Sequence, residues 1–80
     1  MSATLPAVQH ILADVTEGEQ YAPDQRLQID SLQGLRVLLE LEKRFDLEID
    51  ETVMLDEGWL ETAGRIATYI DRLLERPVSP

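Results

Sequence analysis

Three stretches of this chain repeat their apolar residues at helical spacing, and no stretch longer than residues 47–50 alternates as a strand would. Val8, Ile11, Leu12 and Val15 fall at i, i+3, i+4 and i+7, which places them on one face of a first helix over about 4–16. Thr4 stands where a cap is needed, Pro6 suits a first turn, and Gly18 lies just past the end. Residues 17–30 lose the period and contain Gly18 and Pro23, so they read as a long loop. Tyr21, Leu27 and Ile29 are expected to pin it to the core. A second helix is expected over 31–45. Its apolar arc holds Leu32, Leu35, Val37, Leu38, Leu39, Leu41 and Phe45, with Glu42 inside it. Gln33, Arg36, Glu40, Lys43 and Arg44 face the other way. An arc that broad implies more than one neighbour, so this helix is expected to be the central one. A short helix is expected within 51–60. The last helix spans about 63–75, with Thr62 as cap, Ile66, Ile70, Leu73 and Leu74 as its apolar repeat, and Pro77 as stop. Three amphipathic helices and one short one around a single core make an all-α, small four-helix bundle occupying 1–80 as one domain.

Composition narrows the function. With 80 residues the chain hides only about 60% of its unfolded surface, and with no cysteine it has no disulfide to help. A single histidine, His10, argues against a metal site or a histidine-based catalytic pair. Sixteen acids against seven bases give a net charge of −9, which repels nucleic acid and favours basic protein surfaces. No apolar run nears the roughly 20 residues of a membrane span, and the first residues lack signal-peptide character. A small, acidic, cytoplasmic domain that meets other proteins is the expectation.

Asp30-Ser31-Leu32 precedes the leucine-rich helix. An acid or serine there ordinarily caps the helix, its oxygen taking an orphan backbone N–H. Ser31 has no sequence-adjacent base to activate it, so an enzyme nucleophile is a poor reading. Farther on, Leu41-Glu42-Lys43-Arg44-Phe45-Asp46-Leu47-Glu48-Ile49 closes the same block. Asp-Ser-Leu at a helix start, followed at this interval by Leu-Glu-x-x-Phe-x-x-x-Ile, resembles the acyl carrier proteins. The surrounding first helix, long loop and late Thr62 with Tyr69-Ile70 extend the resemblance over nearly the whole chain.

The resemblance implies a carrier rather than an enzyme. Ser31 would be esterified by a phosphopantetheinyl transferase with 4′-phosphopantetheine from coenzyme A, and the arm's thiol would hold an acyl group as a thioester. An acyl- or aminoacyl-loading enzyme and downstream synthases or transferases would be its partners, and a monomer is expected. Asp30 would cap the helix, contact the transferase, or both. Leu32, Arg36, Glu40 and Lys43 would meet partners along the second helix. Trp59, the single tryptophan, would either cap the core or shape a partner contact. Leu35, Leu38, Leu41, Phe45, Ile66 and Ile70 are expected in the core.

Two features depart from the family pattern. Its recognition helix is usually acidic, whereas here the exposed side carries Arg36, Lys43 and Arg44 with one acid, Glu40. The acids gather instead at Asp46, Glu48, Asp50, Glu51, Asp56, Glu57 and Glu61. The loop before Ser31 is also short and lacks the family's glycine, so the arm's surroundings are expected to differ. These departures imply service to a dedicated secondary-metabolite, polyketide or specialised-lipid pathway. An aminoacyl or peptidyl carrier is the alternative within the family. A plain acidic helical interaction domain, with Ser31 only a cap, is the alternative outside it. The chain's ends give it the look of a discrete protein.

Overall fold

A computed structural model of the chain describes residues 4–74. It is a small all-α bundle of four helices: α1 (Thr4–Val15), α2 (Ser31–Phe45), α3 (Glu51–Asp56) and α4 (Ala63–Leu74), with a 3₁₀ turn at Trp59–Glu61 before α4. Among the described residues there is no strand, only an isolated bridge between Arg26 and Thr62. Glu75 and the expected stop at Pro77 lie outside the described residues.

The helix at the centre is α1, not α2. It packs on both α4 and α2, and Ala7, Val8, Ile11, Leu12 and Val15 are all buried. Thr4 is itself a buried helical residue, and its hydroxyl donates to the Asp71 carboxylate at 2.5 Å, tying α1 to α4. Helix α2 buries only Gly34, Val37, Leu38 and Leu41. The expected core position Leu35 is 38% exposed, Leu39 is 49% exposed, and Leu74 at the end of α4 is 49% exposed. The reason is geometric. Among the described residues α2 has extensive helix contact with α1 alone, so one stripe suffices and the rest of its apolar arc meets solvent.

Local chemistry ends each helix. The backbone of Glu17 and then Gly18 turns left-handed after α1, and Gly18 N–H donates to the Ala13 carbonyl. Asp46 closes α2 in the left-handed region, tolerated by a short polar side chain. Glu42, an acid within the apolar arc, explains itself here. Its carbonyl accepts from Leu47 N–H and its Oε2 from Ile49 N–H, so it holds the turn that leads to α3. Asp50 caps α3 by accepting from the amides of Thr52 and Val53, and Thr62 Oγ1 accepts from Arg65 N–H at the start of α4.

The loop between α1 and α2 is sewn down. Tyr21 is buried in the core, and its carbonyl accepts from Gln9 Nε2 on α1. Pro23 carbonyl accepts from Gly64 N–H at 2.8 Å, and Leu27 N–H donates to the Glu61 carbonyl at 2.8 Å. The approach at Gly64 is close enough that a Cβ would sit 2.9 Å from the Pro23 carbonyl oxygen. The Tyr21 hydroxyl donates to Glu19, and that bond, with burial and the Glu19 charge, raises the phenol above its usual 10.0. A Gln28 backbone bond acts more weakly in the opposite sense.

Gly64→Ala should lower the unfolding free energy by about 1–3 kcal/mol through overpacking against backbone. Gly34→Ala, whose Cβ meets only Leu60 Cδ1 at 3.6 Å, should be neutral or raise it by up to about 1 kcal/mol through helix propensity. Urea unfolding followed by circular dichroism separates the two. At alkaline pH the unfolded chain releases the Tyr21 proton first, so stability present below pH 10.0 is lost above it. Tyr21→Phe should flatten that part of a Tm-against-pH curve.

Candidate functional site

The start of α2 is built as a reciprocal cap. Asp30 is extended, with φ −85° and ψ 178°, so its side chain folds back over the first turn. Its Oδ1 accepts from Gln33 N–H at 2.8 Å, while Asp30 N–H donates to Gln33 Oε1 at 3.1 Å. The Asp30 carbonyl takes the Gly34 amide at 2.9 Å. Of the four first-turn amides that a helix leaves without internal partners, the Asp30–Gln33 pair satisfies two, Gln33 N–H on the Asp30 carboxylate and Asp30 N–H on the Gln33 side chain, and the others belong to the exposed residues Ser31 and Leu32. One amide at the anion-attracting end of the helix is therefore already engaged by a carboxylate of its own.

Ser31 is the first residue of α2 and is exposed. Its hydroxyl makes no hydrogen bond to any base among the described residues. His10 lies exposed on α1, with Asp14 at 3.9 Å as its neighbour. A serine without a base or an oriented partner lacks what nucleophilic catalysis by the chain itself requires.

What Ser31 does have is a groove. A depression of about 580 Å³ opens beside it, within the size range of small-molecule sites. Leu27 and Ile29 from the loop, Leu32, Leu35 and Leu38 from α2, Leu55 from α3 and Leu60 from the 3₁₀ turn supply its apolar wall. Asp30, Ser31 and Glu51 supply its polar atoms with Gly34 between them. Leu32 is 69% and Leu55 59% exposed, so the wall is open to solvent.

The other residues singled out from sequence divide between two surfaces. Arg36, Glu40 and Lys43 are exposed along α2, outside the groove lining. Trp59 is not in the groove either. It packs against the core, with Tyr69 at 5.3 Å between ring centroids, and its ring carries the guanidinium groups of Arg72 at 5.2 Å and Arg65 at 5.9 Å. Its Nε1 donates to Glu57. Core packing, one of the two roles weighed for Trp59, is thus present, and the ring also borders a second depression with Arg65 and Arg72. Leu55, Leu60, Leu27 and Ile29 were not foreseen as site residues.

No family model, no curated protein and no solved structure matches this chain. Among the described residues no helix is long and apolar enough to cross a membrane, and no group of three or more potential ligands is placed to hold a metal ion.

Asp30→Ala removes the acceptor for Gln33 N–H and should destabilise the chain by about 1 kcal/mol. Asp30→Asn, which keeps an acceptor at Oδ1, should restore most of it, as read by thermal unfolding.

Proposed function

We propose that this chain is a carrier protein in which Ser31 bears 4′-phosphopantetheine and presents a thioester-bound acyl group to partner enzymes. The observation that carries the reading is an exposed serine, on the first residue of a capped helix, at the lip of an open apolar groove. The residues fit the group. The Ser31 hydroxyl oxygen is accessible for the phosphodiester bond, and the Ser31 and Leu32 amides are in the first turn, where the helix dipole favours a negative charge. Asp30 leaves that favourable field partly offset, which keeps the modified oxygen toward solvent rather than bound down. When attached, the arm supplies the thiol on which the cargo rides.

The chain's own part is positional. The reciprocal Asp30–Gln33 cap fixes Ser31 on the helix rather than on a swinging loop, so a partner meets it at one place. The groove offers Leu32, Leu35 and Leu55 to an apolar cargo. That lining suits an acyl cargo, whose chain would lie against the leucines. The absence of a base at Ser31 supports a chain that is modified and used by enzymes, a phosphopantetheinyl transferase first among them and a loading enzyme next. The charge departures on α2 favour a dedicated pathway over general lipid synthesis.

Incubation of the purified chain with coenzyme A and a broad-specificity phosphopantetheinyl transferase should raise its intact mass by one phosphopantetheine. Ser31→Ala should gain nothing while remaining folded. A wild-type chain that stays unmodified beside a carrier that loads, also with transferases of its own host, overturns the reading in favour of an acidic interaction domain.

A further inference from the structure

The outer face of α2 is both cationic and apolar, and none of the described residues covers it. Leu32, Leu39 and Lys43 lie at i, i+7 and i+11, within one narrow stripe of the helix, and Arg36 lies one turn from Leu32 beside it. Leu32 is 69% and Leu39 49% exposed. Arg36, Lys43 and Arg44 are exposed and form no ion pair among the described residues, although the chain has sixteen acids to seven bases. On α2 itself Glu40 is the one exposed acid beside these three cations, and seven further exposed acids gather at Asp46, Glu48, Asp50, Glu51, Asp56, Glu57 and Glu61; among the described residues Arg65 alone of the bases pairs with one of these, Glu61 at 2.8 Å. The stripe runs continuously from Leu32 at the lip of the groove, so whatever sits on it also reaches Ser31.

From this arrangement we infer that the α2 face is the docking site for a partner protein whose contact surface is acidic with an apolar centre. The leucines would fill that centre and Arg36, Lys43 and Arg44 would meet carboxylates at its rim. Charge of this kind sets the association rate and rejects wrong partners, so enzymes with basic docking surfaces would be turned away from Ser31. The inference rests on the carrier reading, since an enzyme reaching Ser31 is the occupant that the face would hold.

The test titrates the ¹⁵N-labelled full chain with a synthetic amphipathic helical peptide of glutamates and leucines, with its lysine-for-glutamate counterpart, and with phosphatidylglycerol vesicles. The glutamate peptide should shift the amide resonances of residues 32–44. In the folded variant Arg36→Glu, Lys43→Glu, Arg44→Glu its binding should weaken by at least about tenfold, and it should also fade in about 1 M salt. No shift on α2, equal binding by the variant, or a lysine peptide preferred on α2 overturns the inference. So does vesicle binding through α2 without peptide binding, which would make the face a lipid contact. Self-association in sedimentation equilibrium that the variant abolishes would assign it to a second copy and overturns it as well. The Ser31 mass gain, measured on wild type and variant with the broad-specificity transferase, keeps the two claims apart. If wild type loads but the glutamate peptide does not bind, docking fails and the carrier stands, whereas no loading removes the carrier itself.

Discussion

The seam between the α1–α2 loop and the start of α4 is the contact on which the rest of this structure depends. It consists of two backbone hydrogen bonds, Gly64 N–H to the Pro23 carbonyl and Leu27 N–H to the Glu61 carbonyl, with the Arg26–Thr62 bridge between them. A loop of this length is expensive to order, because each fixed residue costs about 1–2 kcal/mol of backbone entropy. It is ordered here by being treated as part of the core: Tyr21 is buried and Leu27 packs beside it. The seam also sets where Ile29 and Asp30 emerge, and hence the point at which α2 begins. A loop released from α4 would carry Leu27 and Ile29 away and leave the groove without one wall. The smallness of Gly64 is therefore connected to the surroundings of Ser31, which lies on a different element.

That connection explains which parts of the molecule were legible in the sequence. The period of Val8, Ile11, Leu12 and Val15 reports directly which side of α1 is buried, because a helix repeats its faces whatever it packs against. The caps at Asp30 and Thr62 are equally local, each decided within three residues of its own position. The count of neighbours is not local. The leucines of α2 promised a helix surrounded by others, but α1 supplies its one extensive helix contact and Leu35 and Leu39 stay exposed. Nothing in the spacing of apolar residues distinguishes a second packing face from a face that meets solvent. The seam is silent for another reason. It is made by backbone atoms, which every residue has, and its one trace in the sequence is a glycine inside a helix.

The site divides in the same way. Asp30 and Ser31 could be placed on the page because a helix start has a chemical signature. The groove could not, since its walls come from the loop, α2, α3 and the 3₁₀ turn, which are brought together only by tertiary packing. Trp59 kept two roles open. A lone tryptophan invites a functional role, and here its ring meets Tyr69 and the guanidinium groups of Arg65 and Arg72. Cation–π contacts of this kind stabilise the outer end of the bundle.

A domain this small has little apolar surface to spare. Burying a leucine side chain contributes about 1.5–3 kcal/mol, so leaving Leu32, Leu39 and Leu55 largely in water forgoes stability comparable to a good part of a small domain's total. One exposed leucine needs no explanation, because much of any folded surface is apolar. Leucines bordering one groove and continuing along one helix face are a different observation, since contiguous apolar surface marks interaction sites and invites aggregation where it has no use. The cations beside them bear on the same point. Arg36, Lys43 and Arg44 keep that face from associating with other cationic surfaces, and the acids from Asp46 to Glu61 keep the remainder of the molecule from doing so with its like. The pattern sacrifices folding stability at one face and shields that face with charge. Such an arrangement suits the carrier reading proposed above, in which a serine held at the edge of the leucines is reached by another protein.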